Sequence, residues 1–241
     1  MAIPLYLAMT AAETMASPMP ENMAYMACHF ASYGLGISNI PTALPPGAML
    51  ILNDRIPLWE HNPVLIAKQL ADTVAELSCG SVLLDFQRPE NSKATAITKA
   101  VLEELPCPVG VSEHYAHDLN CPVFLSAPPP DIPLQRHILS WKDREIWLEA
   151  ALETIEISVT QGGATVTSVP FQSPSEPSHR DKKCCCSYRT EISEDRAVFT
   201  LSRTPEDLHQ LLCEAEKLGV TRAVGLYQQL GSVNNKRGLE R

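Results

Sequence analysis

The sequence predicts an α/β chain folded as a reduced (β/α)8 barrel of TIM type, with a small antiparallel β-hairpin insertion after the seventh strand. Three observations predict it. Apolar runs of four to eight residues recur along the first half, each bounded by Pro, Gly, Asn or Asp. Near-continuous apolar runs of that length suit strands covered on both faces, as in a parallel sheet. Two stretches of helical periodicity separate three of these runs, the alternation of right-handed βαβ units. Near Glu145 the pattern changes to pairs of alternating segments around tight turns, which read as hairpins.

The elements follow in order. Strands are expected over residues 4–10, 24–31, 47–54, 81–87, 108–114 and 122–126. A helix is expected over 63–77, where Val64, Leu65, Leu70, Val74 and Leu77 recur at near-helical spacing, Pro63 suits the first turn and Gly80 a stop. A second is expected over 94–105, with Ile97, Val101, Leu102 and Leu105 on one face and Pro106 ending it. The connectors at 41–46 and 127–133 are proline-rich, so some outer helices of the barrel are replaced by loops. Residues 145–150 supply a seventh strand. Hairpins follow over 154–170 and 185–202, with 172–183 as a polar loop between them. Thr204-Pro205-Glu206-Asp207 opens a helix that runs to Leu218, and 221–227 is the last strand. Residues 1–231 are expected to form one domain with its insertion at about 154–202, and 232–241 a flexible tail.

Composition narrows the function classes. The 241 residues carry 19 Lys plus Arg against 28 Asp plus Glu, a net charge of −9. Such a chain repels phosphate backbones, so no nucleic-acid partner is expected. The one basic cluster, Arg180, Lys182 and Lys183, sits in a polar loop and reads as solvated, with a docking patch as the alternative. No apolar stretch approaches the roughly 18 residues of a membrane span, and no secretory leader is seen. A reducing, cytoplasmic setting is expected, with all eight Cys as free thiols. Cys184-Cys185-Cys186 lacks the paired spacing zinc favours, and Tyr33-Gly34-Leu35-Gly36 lacks the third Gly of a dinucleotide loop. No cofactor and no metal are expected.

The chemistry-bearing residues fall at predicted strand ends. On the fourth strand Leu83, Asp85 and Gln87 share one face. In a barrel that face points inward, with Gln87 near the C-terminal mouth where barrel active sites lie. Asp85 is read as a catalytic acid, or as a structural acid bonded to backbone or to Arg88. Asn53 and Asp54 end the third strand and either line the mouth or make a turn. Ser112-Glu113-His114-Tyr115-Ala116-His117-Asp118 follows the fifth strand; Glu113 or His114 can do acid–base work there. Glu149 lies near the end of the seventh strand, and Tyr227 and Gln228 follow the eighth.

The order of elements, with an antiparallel insertion after strand seven and then a helix and strand eight, resembles the family-18 glycoside hydrolases. That family carries an acidic run of form D-G-x-D-x-D-x-E on strand four. Here the strand reads Cys79-Gly80-Ser81-Val82-Leu83-Leu84-Asp85-Phe86-Gln87. Gly80 and Asp85 are taken as matches, Cys79 and Val82 as standing at the other Asp positions, and Gln87 at the catalytic Glu. The resemblance implies a chitinase-like barrel without the family's general acid, because an amide has no proton of useful acidity. In family-18 enzymes the substrate's own N-acetyl group is the nucleophile, so no second protein carboxylate stands in reserve.

These readings give three expectations. The first is a catalytically inactive or altered glycosidase-like barrel that binds a small polar ligand, with sugars as one class, through Asn53, Asp54, Gln87, Arg88, His114, Tyr227 and Gln228. The second is an active hydrolase using Asp85, Glu113 and Glu149. The third is a non-enzymatic interaction protein, favoured if apolar side chains lie exposed together on the hairpins.

Overall fold

The computed structural model describes residues 3–32, 36–57, 61–89, 91–171 and 178–231. The expected tail at 232–241 and most of the segment at 33–36 lie outside these residues.

Strand β1 (Leu5–Met9) leads into helix α1 (Ala11–Ala16). β2 (Met23–Phe30) and the two-residue β3 (Ile37–Ser38) follow, then β4 (Met49–Asn53) and helix α2 (Pro63–Glu76). Next come β5 (Ser81–Asp85), α3 (Ser92–Glu104), β6 (Val109–Ser112) and the single turn α4 (Glu113–Ala116). β7 (Val123–Leu125), the short α5 (Leu134–His137), a 3-10 turn at Leu139–Trp141 and β8 (Ile146–Glu149) complete the first seven barrel strands.

Five antiparallel strands then intervene: β9 (Thr154–Thr160), β10 (Gly163–Val169), β11 (His179–Asp181), β12 (Cys186–Ile192) and β13 (Arg196–Ser202). Helix α6 (Pro205–Lys217) returns the chain to β14 (Val220–Leu226).

The barrel is closed. β1, β2, β4, β5, β6, β7, β8 and β14 run parallel in that order, and β14 pairs back onto β1. The reduction is visible in the connections: α2 and α3 are full helices, α1 and α4 are short, and β3 stands where a helix would follow β2. The segment at 172–183, expected as a loop, contains β11, which pairs with β12 from His179 to Asp181.

The core has two compartments. Outside the strands, α2, α3 and α6 bury faces such as Ile66, Leu70, Ile97, Val101, Leu208 and Leu211. Inside, Ala8, Ala24, Met49, Ile51, Leu83, Phe124, Trp147 and Val224 form a separate cluster, so the barrel is filled rather than hollow. Trp147 is its largest member and is fully buried. It fits because β6 carries Gly110 opposite: a Cβ there would stand 2.2 Å from Trp147 Cε3. The ring is fixed by the Arg222 guanidinium 4.6 Å from its centroid and by Nε1 donating to Glu145 Oε1 at 2.9 Å.

In the antiparallel sheet, the register puts Val166, Ile157 and Phe199 side by side, with Ala164, Val159, Ala197 and Ile192 in the next row. Val159, Val166 and Ile192 on that face are exposed.

Candidate functional site

The strand ends of β4, β5, β8 and β14 converge on one small cavity of about 100 Å³ at the barrel mouth. That is several times the roughly 10–15 Å³ a single water requires. Its polar wall is Asn53, Asp85, Gln87 and Glu149; its apolar wall includes Met26, Phe124 and Leu226, with Leu83 and Ile51 below. The β4–β5 register sets Asn53 beside Asp85. Strand alternation carries the same inward face from Leu83 to Asp85 and from Trp147 to Glu149.

Asp85 and Glu149 belong together electrostatically. Burial pushes the Asp85 carboxyl up; a hydrogen bond from Gln87 Nε2 at 2.5 Å opposes this, and the Asp54 charge adds to it. Burial likewise pushes Glu149 up, the Ala127 N–H at 3.1 Å opposes it, and the Asp85 charge adds to it. Two partly desolvated carboxylates facing one cavity protonate more readily than free ones, and each makes the other's ionisation harder.

The remaining expected site residues take other places. Asp54 is buried and turned away from the cavity: Oδ1 accepts from the Gln87 N–H and Oδ2 from the Arg88 N–H, both at 2.9 Å. Arg88 closes the same knot, donating to the carbonyls of Asp54 at 2.8 Å and Arg55 at 2.9 Å. These two residues shape the loop that presents Gln87. Asn53 keeps a cavity position while Nδ2 donates to the Met26 carbonyl and Oδ1 accepts from the Arg55 N–H.

Glu113 sits outside the cavity lining, accepting from Ser126 Oγ at 3.3 Å. His114 is exposed on α4, and His117 stacks on Trp141 at 4.8 Å, so the two do not converge with Asp85. Among the described residues no group of three His, Cys, Asp or Glu is placed to hold a metal ion. Tyr227 packs half-buried against the core beside Gly231, and Gln228 is exposed; their neighbours Gly225 and Leu226 reach the cavity instead. The Cys185 and Cys186 thiols are pushed up to about 11 and about 12 by burial, which leaves no reactive thiolate.

Met26 and Phe124 were not expected at the site. Phe124 could have been read from alternation along β7. Met26 could not, because β2 changes register against β4 between Tyr25 and Cys28.

Solved structures place this geometry among known folds. An N-acetylglucosaminidase of glycoside hydrolase family 18 from Paenibacillus barengoltzii superposes with a TM-score of 0.60 at 9% identity, covering 92% of this chain and 94% of that one. The spore cortex-lytic enzyme SleL of Bacillus cereus gives 0.57 at 12%, covering 92% and 70%. The chitinase-like agglutinin RobpsCRA of Robinia pseudoacacia gives 0.56 at 8%, covering 91% and 93%. The chain shares its fold with the family-18 glycoside hydrolases. No family model and no curated protein matches the sequence.

The strand-four motif can be counted along the sequence with Gln87 set at its Glu. Counting back from Gln87 keeps Asp85 at the last Asp. The first Asp, the Gly and the middle Asp of the motif then fall on Gly80, Ser81 and Leu83. Gly80 and Asp85 cannot both be matches in one ungapped register, and the register through Asp85 matches the motif at Asp85 alone. Leu83 belongs to the apolar barrel interior.

Proposed function

We propose that this protein is a glycosidase-like barrel that binds a small carbohydrate at its mouth and lacks the family's acid catalysis. One observation carries the reading: the side chain at the strand-four exit, Gln87, is an amide hydrogen-bonded to Asp85 on the wall of the mouth cavity. An amide and two carboxylates offer donors and acceptors to sugar hydroxyls, while the amide has no proton to give a leaving oxygen. That the compared proteins include an N-acetylglucosaminidase and an agglutinin makes N-acetylglucosamine oligomers the first ligands to test.

The test is thermal unfolding against chito-oligosaccharides and cell-wall sugar fragments. A ligand at about 100 times its Kd adds about 2.7 kcal/mol, a rise of roughly 5–10 °C for a domain of this size. The rise should vanish in Asp85→Ala. No rise with any sugar removes the reading. Gln87→Glu should restore hydrolysis of a chromogenic chito-oligosaccharide only if Gln87 occupies the acid's place.

The second reading is an active hydrolase working through Asp85 and Glu149. It is favoured by their shared cavity and by burial that raises both carboxyls, so that a proton is held more readily between the two. Turnover by the unmodified protein that is lost in Glu149→Gln would select it. Glu113 has no part in this pair.

We also take residues 1–231 as one domain with the antiparallel insertion within it, since the insertion leads through α6 straight into the closing strand. A single cooperative unfolding transition supports this; two separate ones refute it. The eight unpaired cysteines favour a reducing, cytoplasmic setting. Among the described residues no helix is long and apolar enough to cross a membrane.

A further inference from the structure

A second and larger depression lies away from the mouth and shares no lining residue with it. It encloses about 830 Å³ between α5, the turn joining β11 to β12, and α6, within the range of small-molecule sites. Its floor is apolar, with Leu134 and Cys185 buried and Leu218 beside them. Its rim carries Arg136 from α5 and Lys182 and Lys183 from the turn.

These cations make no direct ion pair among the described residues, although Asp181 and Asp131 act on the neighbouring Cys184. The only carboxylate on the lining, Glu214, is already held by Lys217 at 2.7 Å. Asp181 lies next to Lys182 in sequence, but its Oδ1 is bound by the backbone N–H groups of Lys183 and Cys184 at 2.8 and 3.2 Å. Arg180, the third member of the basic cluster, is drawn off to buried Asp207 at 2.8 Å. The lysine turn is held in place: the Lys182 carbonyl accepts from Gln210 Nε2 at 3.3 Å and from the Cys185 thiol at 3.6 Å. A chain of net charge −9 thus concentrates three cations from two separate segments around one concave, apolar-floored site.

We propose that this groove binds a small polyanion, a molecule bearing phosphate or carboxylate groups on a compact body. The Arg136 guanidinium offers a bidentate fork and the two ammonium groups flexible point charges, the donor set that such anions take. The proposal is independent of the sugar site.

The experiment is calorimetric titration of the full chain with pyrophosphate and with citrate, at low and at physiological salt. The controls are the single variants Arg136→Gln, Lys182→Gln and Lys183→Gln and the triple variant. All three side chains are exposed, so the variants should keep the wild-type melting profile without ligand. Saturable binding is expected, weakening with salt. Each single substitution should weaken it about tenfold, and the triple variant should abolish it. Tighter binding of pyrophosphate marks a phosphate ligand, and tighter binding of citrate a carboxylate one. No saturable binding of either probe overturns the proposal, and so does equal affinity in wild type and triple variant.

Discussion

Replacing Gly110 by alanine introduces a methyl carbon 2.2 Å from Trp147 Cε3 and 2.4 Å from Cζ3. Carbon atoms pack at about 3.5–4.0 Å, so the indole has to retreat by more than about 1 Å. It has nowhere to go. The ring is fully buried, held by Glu145 at Nε1, covered by Arg222 and enclosed by Met49, Ile51, Leu83 and Phe124. Overpacking a filled core costs about 1–3 kcal/mol, and this contact belongs at the upper end. Alanine recovers roughly 0.5 kcal/mol or more of backbone entropy, leaving about 2–3 kcal/mol. For a domain of this size each kcal/mol moves the melting point by roughly 2–4 °C, so a fall of about 4–12 °C is expected by calorimetry. In a Trp147→Leu background the same alanine should cost far less, giving a coupling above about 0.5 kcal/mol. A melting point for Gly110→Ala within about 2 °C of wild type would refute the filled interior and the placement of Trp147 in it.

Other substitutions test the mouth and the buried groups around it. Asp54→Ala strands the amides of Gln87 and Arg88 and should cost about 2–4 kcal/mol in urea unfolding; a loss below about 1 kcal/mol would remove its shaping role. Burial raises the folded-state pKa of Glu149, so its contribution to stability is full below the unfolded value of about 4.3 and is lost as pH rises through the folded value. Glu149→Gln should therefore stabilise at pH 7, by about 1 kcal/mol, with the gain gone by pH 4; equal effects at both pH values would contradict this. His61 is buried edge-on against Phe30 at 5.3 Å, and burial lowers its pKa. Its contribution is present above about pH 6.5 and lost as pH falls through the lowered folded value, a dependence that His61→Phe should flatten when urea midpoints are compared at pH 7.5 and 5.5.

The eight barrel strands were legible because each is a short apolar run closed by a turn residue, and so were α2 and α3 because their periodicity is unbroken over three turns. Closure was not legible: it rests on β1 meeting β14, more than 200 residues apart, and no local pattern records it. α1 went unread although its signal was present, since Thr10 and Glu13 make the capping box that starts it. β11 is three exposed residues whose pairing depends on β12, so its own composition says nothing. At the mouth, alternation put Leu83, Asp85 and Gln87 on one inward face, and these three line the cavity; that Glu149 joins them was not legible, because it comes from a different strand. Alternation failed for Asp54 and Arg88, which lie past the ends of their strands, where the loop and not the pleat sets side-chain direction.

The mouth carboxylates also bear on why the cavity exists. Trp147 and its neighbours already fill the barrel below, so packing does not need Asp85 or Glu149 at the layer above. Placing two mutually repelling acids in a partly desolvated wall costs stability, and an asparagine or glutamine at either position would relieve it. Local violations of this kind collect at working sites. Nothing comparable marks the triple cysteine, where burial pushes the Cys185 and Cys186 thiols up, or the exposed His114. The strain sits beside Gln87, whose amide is hydrogen-bonded to Asp85, so donors and acceptors line the cavity wall together. Under the proposed reading that combination holds a polyhydroxyl ligand through hydrogen bonds, and the Gln87→Glu and Glu149→Gln variants separate binding from hydrolysis.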